Sequence, residues 1–266
     1  MRHSLTGVSD ELVRVATDRG VTTLTLDSPH NRNALSTPLL TRLREALAAA
    51  VSDPSVRVVV LDHAGPAFCS GVDLAEAEAA RRAGRPPVAV LGEALADLWE
   101  CPKPVVVRMF GPARAGGVGL VAAADIAVCA TDVTFAFTEV RLGVVPAVIS
   151  AVVLPRLTSR AAARLYLTGE VFDAEQAAAV GLISAAVPAT QLDSTVAEIC
   201  ADLLQGAPAA LAATKRLLRS GTGEIREELA ELSRLSTEFF NSADAQEGIA
   251  AFRERRAPHW ALANPG

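Results

Sequence analysis

Two glycine-bearing loops constrain this chain more than any other feature: Ala67-Phe68-Cys69-Ser70-Gly71-Val72-Asp73-Leu74 and Gly111-Pro112-Ala113-Arg114-Ala115-Gly116-Gly117-Val118-Gly119. Each ends a strand-like run and opens a helix-like one, so unpaired backbone N–H groups at the two helix starts can converge on one developing negative charge. That is the anatomy of an oxyanion hole. An isolated glutamate follows in Phe137-Thr138-Glu139-Val140-Arg141, and no Cys, Ser or His nucleophile is placed beside the loops. The chemistry suggested is enolate formation on a thioester, with Glu139 moving the proton.

The segments around these loops alternate between strand and helix. Leu12 to Ala16 and Val21 to Leu26 alternate around Asp18-Arg19-Gly20 and read as a β-hairpin. Thr37 can cap a helix with Pro38 at its first position, and Leu39, Leu40, Leu43, Leu47 and Val51 then form an apolar face. Strands are expected at Val56 to Leu61, Pro104 to Phe110 and Ile126 to Ala130, and helices at Leu74 to Arg82, Val88 to Trp99 and Gly116 to Ala124. A charged, breaker-rich linker at 81–87 is expected to be mobile. This order points to a largely parallel α/β architecture. From Ala147 onward helix follows helix, with Asp173-Ala174-Glu175-Gln176 resembling a capping box and only Leu182 to Val187 resembling a strand. A core over 1–190 and a C-terminal helical region over 191–266 are therefore expected.

Half of the 266 residues are apolar, enough for a sizeable core. The formal charge of −5, with no basic face carrying interleaved aromatics, argues against nucleic acid. Cys69, Cys101, Cys129 and Cys200 have no metal-site spacing and read as buried thiols rather than as zinc ligands or a disulfide framework. Met1-Arg2-His3-Ser4 begins no apolar segment, and the most apolar stretch, Val105 to Ala130, is broken by Arg108, Arg114 and Asp125. A cytoplasmic protein with no membrane span is expected.

In this order the motifs resemble the enoyl-CoA hydratase/isomerase (crotonase) family. The likeness runs from Asn33-Ala34-Leu35-Ser36 through both glycine loops and Phe135 to Gly143, then into Leu167-Thr168-Gly169, Ala177 to Ile183 and Glu247 to Phe252. It implies a crotonase-like spiral of ββα units with a C-terminal helical trimerisation region, assembled as a homotrimer or as a hexamer made of two trimers. It also implies an acyl-CoA thioester as substrate, with no separate cofactor and no metal. Carried over, the amides of Val72 and Gly116 hold the thioester oxygen and Glu139 is the acid/base. Arg32, Asn33, Ala34, Leu35, Ser70, Gly71, Asp73, Leu74 and Gly117 lie along the CoA ester, and Phe252 or Arg256 reaches a neighbour's CoA.

Two departures bear on the reaction. Hydratases of this family place two glutamates about the activating water, and the position of the first corresponds here to Gly119. A single acid suits a Δ3,Δ2 double-bond shift. Gly143-Val144-Val145-Pro146-Ala147-Val148-Ile149-Ser150 also replaces the usual Pro-Gly-x-Gly-Gly run and resembles a branch that hydrates branched or carboxylated enoyl-CoAs. Hydration of a 2-enoyl-CoA is the leading expectation, with isomerisation second and a weakly catalytic acyl-CoA-binding paralogue third. Gly117-Val118-Gly119-Leu120-Val121-Ala122 also fits the dinucleotide fingerprint, but its turn should follow a strand directly, and Pro112 and Arg114 intervene. Arg114 and Arg141 are candidates for a substrate carboxylate, against the plainer expectation that both are salt-bridged or exposed. Asp73 is expected to cap the helix after its loop, Asp125 to be structural, and the histidines to be incidental.

Overall fold

A computed structural model describes residues 12–83, 89–219 and 224–261. Strands β1 (Val13–Asp18) and β2 (Val21–Leu26) form the expected hairpin, with Asp18 opposite Val21. Arg19 and Gly20 between them have φ of 44° and 86°, the left-handed backbone that a two-residue hairpin turn needs. In α1 (Thr37–Ser52), Leu39, Leu40, Leu43 and Leu47 are buried as the apolar spacing requires. The cap is Ser36, whose side chain accepts from the Leu39 N–H, so Thr37 is already helical and Pro38 stands second. Strand β3 (Val58–His63) starts two residues later than expected, because the Val56 N–H is held in a turn by Asp53 O.

Helix α2 (Leu74–Arg82) starts at Asp73, whose carboxylate accepts from Ala75 and Glu76 N–H groups. Of the expected mobile linker at 81–87, residues 84–87 lie outside the described residues, and Arg81 and Arg82 belong to α2. Then come α3 (Ala89–Glu100), β4 (Val105–Met109), β5 (Ala113–Arg114), α4 (Gly116–Ala123), β6 (Ile126–Ala130) and β7 (Thr134–Ala136). The chain continues through α5 (Ala147–Val153), α6 (Ser159–Thr168), β8 (Phe172–Asp173), α7 (Ala174–Ala179) and β9 (Ala185–Val187). Helices α8 (Leu192–Gln205), α9 (Pro208–Leu218), α10 (Ile225–Phe240) and α11 (Ala243–Glu254) complete it.

One sheet has the order β1-β2-β3-β4-β6-β9, parallel at every pairing after the hairpin. Its central strands open with apolar runs because both faces are covered there: Val58, Val59, Val60 and Leu61 of β3 are all buried, and the polar Asp62 and His63 follow only at its end. Burying each such side chain contributes roughly 1.5–3 kcal/mol. A smaller sheet, β5-β7-β8, places the second glycine loop beside the segment carrying Glu139. Its two- and three-residue strands have no sequence signature, and the strand expected at 182–187 shortens to β9. Among the described residues no single helix is long and apolar enough to cross a membrane.

Helix α8 packs on β3, β4 and β6, while α10 packs on α3 and α5. Leu229 of α10 and Ile249 of α11 are buried within their own chain. Phe239 and Phe252 of the same faces remain exposed, as do Leu217 and Leu218. All four cysteines are buried free thiols, and burial pushes Cys69 and Cys129 up to about 12, so neither is a nucleophile. His63 is not without a partner: its Nε2 accepts from the Phe110 N–H at 3.1 Å and its ring stacks on Phe110.

Asp125 joins the sheet to the C-terminal helices. Its carboxylate accepts from Val105 N–H at 2.8 Å, from Lys215 at 2.6 Å and from Arg219 at 2.6 Å. The Lys215 and Arg219 side chains are only 9% and 10% exposed, and the Arg219 guanidinium lies 4.3 Å from the Trp99 ring centre. Removing the carboxylate that two buried cations share is expected to cost about 3–5 kcal/mol. Urea unfolding of Asp125→Ala should show that loss, and a loss below about 1 kcal/mol would mean that the cations find other compensation.

Candidate active site

The two glycine loops lie side by side. Cys69 bridges Ala113 in parallel, with the Arg114 N–H donating to Cys69 O at 3.0 Å, and Leu35 bridges Val72 on the other side. In that second bridge Leu35 N–H donates to Gly71 O and Asp73 N–H to Leu35 O, which leaves the Val72 amide out of the pairing. Gly71 has φ +97°, and a Cβ there would stand 3.1 Å from the Ala115 methyl. Ala115 is itself at φ 48°, ψ −121°, a conformation that costs an L residue about 1–3 kcal/mol. This strained residue turns the chain into α4 with the Gly116 amide at the helix start.

Neither the Val72 nor the Gly116 N–H donates to a protein acceptor among the described residues. The two residues adjoin: a Cβ at Gly116 would lie 3.7 Å from Val72 Cγ2 and only 2.9 Å from Leu35 Cδ1. Two adjoining amides, one at a helix N-terminus, are thus unengaged donors at the cavity wall.

Glu139 opens a 3₁₀ turn, Glu139–Leu142, just after β7. Its carboxyl tip is enclosed although the residue as a whole is partly exposed, and Oε2 has no hydrogen-bond partner among the described residues. Burial raises its pKa to about 7 against a smaller opposing effect of a backbone hydrogen bond. Such a group is populated in both protonation states at neutral pH, as an acid/base requires.

A cavity of about 720 Å³ contains these groups. Val72, Gly116 and Glu139 line it, as do Arg32, Ala34, Ser70, Gly71, Asp73, Leu74 and Phe252 of the expected ligand-binding set. The remaining expected residues lie outside the lining. Asn33 is buried and structural, its Oδ1 accepting from Ser28 N–H and its Nδ2 donating to Ala64 O and Ala67 O. Leu35 supports Gly116 from behind, and Gly117 packs where a Cβ would strike Cys69 Cβ at 2.6 Å. Arg256 is occupied by Glu247 and Glu254, and Phe252 lines the cavity of its own chain.

Arg114 lines the cavity too, but it is half-buried and donates to the neutral acceptors Ala113 O, Thr134 O and Thr134 Oγ1 rather than to a carboxylate. Arg141 is exposed and donates to Thr168 O. The dinucleotide reading fails because five residues, β5 among them, separate Met109, the end of β4, from Ala115 and the start of α4.

Gly119 leaves no hole. A Cβ at this position would meet Ile149 Cγ2 at 2.6 Å, so α5 fills the place of the absent carboxylate with an apolar side chain. The sequence contains both departures, Gly119 and the 147–150 segment, but no spacing rule says that they touch. Leu91, Ile149 and Phe240 also line the cavity and carry no motif of their own.

The chain matches the enoyl-CoA hydratase/isomerase family over residues 16–262. Its fold is similar to the crystal structure of an enoyl-CoA hydratase from Mycobacterium avium, with TM-score 0.86, 43% identity and coverage of 95% of this chain and 100% of that one. Carnitinyl-CoA dehydratase from Proteus mirabilis is 33% identical over 256 residues, covering 92% of this chain and 96% of the relative. The peroxisomal Delta(3,5)-Delta(2,4)-dienoyl-CoA isomerase of Arabidopsis thaliana is 30% identical over 267 residues, covering 94% and 96%. With crotonase-fold neighbours and a family match across nearly its whole length, this chain belongs to the enoyl-CoA hydratase/isomerase family.

Proposed function

We propose that this protein hydrates a 2-enoyl-CoA thioester, using the Val72 and Gly116 amides as the oxyanion hole and Glu139 as sole side-chain acid/base. The observation that carries the reading is the pair of unengaged amides in one cavity with an enclosed carboxyl of pKa about 7. Ionised Glu139 takes a proton from water as the water oxygen bonds to C3. The C2–C3 π electrons move to give an enolate whose oxygen accepts from the two amides. Protonated Glu139 then delivers its proton to C2, which restores the thioester and the carboxylate. Each oxyanion donor contributes about 2.7–4 kcal/mol to the transition state. CoA arrives as part of the substrate, along Arg32, Ala34, Ser70 and Leu74.

The apolar Ile149 in place of a second acid favours a second reading, isomerisation of a 3-enoyl-CoA. Glu139 would then take a proton from C2 and return it to C4 through the same enolate. Association into a trimer or hexamer is a further part of the proposal, supported by the exposed Leu217, Leu218 and Phe239 on the C-terminal helices.

Glu139→Gln should lower turnover at least about a hundredfold while leaving CoA-ester binding nearly intact. It should also change the pH dependence of stability. The folded-state pKa of about 7 exceeds the unfolded value near 4.5, so the folded protein holds the extra proton between them and loses stability as pH rises through that window. Thermal unfolding should show a loss on the order of 3 kcal/mol from acid to neutral pH that Glu139→Gln removes. Turnover within about threefold of the unsubstituted protein would take Glu139 out of the mechanism.

Gly119→Glu alone should destabilise the protein by forcing Ile149 aside. Gly119→Glu with Ile149→Ala restores the space and separates the two readings. A hydratase should hydrate crotonyl-CoA no faster in this double variant than in the unsubstituted chain, whereas an isomerase should gain hydration. CoA-ester binding without turnover in either protein would favour the binding paralogue.

Assembly is read by sedimentation, where a trimer or hexamer is expected at micromolar concentration. A stable monomer would contradict it.

A further inference from the structure

Oε2 of Glu139 and the hydroxyl of Tyr166 are both enclosed; Oε2 meets no hydrogen-bond partner among the described residues, and the Tyr166 hydroxyl has only a loose approach to Ser150 that falls short of a well-formed bond. A buried polar group left unsatisfied costs about 1–3 kcal/mol. Two on elements packed against each other therefore call for a common explanation.

Helix α6 is held tightly to the segment around Glu139. The Tyr166 ring packs on Phe137, two residues before Glu139, with centroids 4.5 Å apart at 43°. Arg141, on the Glu139 turn, donates to Thr168 O from Nε at 3.3 Å and from Nη2 at 3.2 Å. Gly169 lies so close that a Cβ there would stand 3.0 Å from Phe137 O. Burial keeps the Tyr166 hydroxyl protonated well above the ordinary tyrosine range, with a smaller opposing effect of hydrogen bonding to Ser150 and a further rise from the Glu139 charge. The Ser150 hydroxyl already donates to Pro146 O at 2.7 Å, so towards Tyr166 it offers lone pairs. Tyr166 is thus a donor with two acceptors near it, one of which changes charge.

We propose that Tyr166 is the positioning residue of Glu139, its hydroxyl donating to Oε2 through one bridging water when the carboxyl is ionised, and to Ser150 when it is protonated. The donation fixes Oε2 and leaves Oε1 for the reacting proton. It supplies through a neutral phenol part of the orientation that a second carboxylate would otherwise give. Other charged groups nearby are Arg141 on the same turn, Arg114 and Asp73 in the cavity wall, the paired Arg164 and Glu170 beside α6, and Asp244 at the start of α11. None of them figures in the shift of Glu139, which burial raises against a smaller opposing backbone hydrogen bond. The kinetic consequence rests on the acid/base role proposed above, whereas the hydrogen bond itself does not.

The chain has one tyrosine, so labelling with 3-fluorotyrosine gives a single ¹⁹F resonance that reports Tyr166 alone. In the full-length protein that resonance should shift with a midpoint near pH 7, and the step should vanish in Glu139→Gln. A resonance unmoved across this range, or one moving equally in Glu139→Gln, overturns the proposal. This arm holds whether or not the protein turns over an enoyl-CoA. In an active enzyme Tyr166→Phe should lower kcat about tenfold with KM within about twofold. It should also move the Glu139 limb of the pH profile up by about one unit, the effect of losing a hydrogen bond to the carboxylate. A folded Tyr166→Phe protein with an unmoved limb would refute the positioning role.

Discussion

Both ends of α4 are in use, and the arrangement of the rest follows from that. All eight residues from Gly116 to Ala123 are buried, so the helix has no solvent face and must sit inside the molecule. Its N-terminus offers the Gly116 amide with the partial positive charge of the helix dipole behind it. At its other end Arg156 donates to Ala122 O and Ala124 O, and Arg219 donates to Ala123 O. These cations meet the carbonyls where the dipole is negative, and both guanidinium groups lie over Trp99. The C-terminal helices, which reach this cluster through Lys215 and Arg219, therefore help hold the element that presents the Gly116 amide to the cavity.

Features set by neighbouring residues were legible in the sequence. Asp18-Arg19-Gly20 between two alternating runs is a hairpin because its turn chemistry is local, and Asp73 caps α2 for the same reason. The two glycine loops and Glu139 were likewise visible, since each carries its chemistry within a few residues. What the sequence hid depends on distant partners. Strands β5 and β8 have two residues each and exist because β7 pairs with both. The amphipathic faces of α10 and α11 show that Leu229 and Ile249 need cover, but not that their own chain provides it. Asn33 stands among binding residues in the motif, yet its side chain is consumed in tying 28 to 64 and 67. Tyr166 lies in a helix with no motif and gains meaning only from Phe137, Ser150 and Glu139 in space.

The pair Gly119 and Ile149 alters how a one-glutamate site should be understood. Replacing a carboxylate by glycine in a rigid core would leave a cavity, and cavities are costly. Here the volume is taken up from α5, with Ile149 Cγ2 standing 2.6 Å from where a Cβ at 119 would be. The exchange is therefore a coupled change in volume and polarity between two helices. Its polarity has a consequence for the remaining acid. A second carboxylate would raise the pKa of Glu139 by repulsion, and removing it alone would let that pKa fall. In this chain the rise comes by a different route, because desolvation is the largest influence holding Glu139 at about 7. One group near neutrality can take a proton and give it back at comparable cost, whereas one near 4.5 would be a poor acid once protonated. For the acid/base role proposed for Glu139, this burial is what lets one carboxyl serve in both directions.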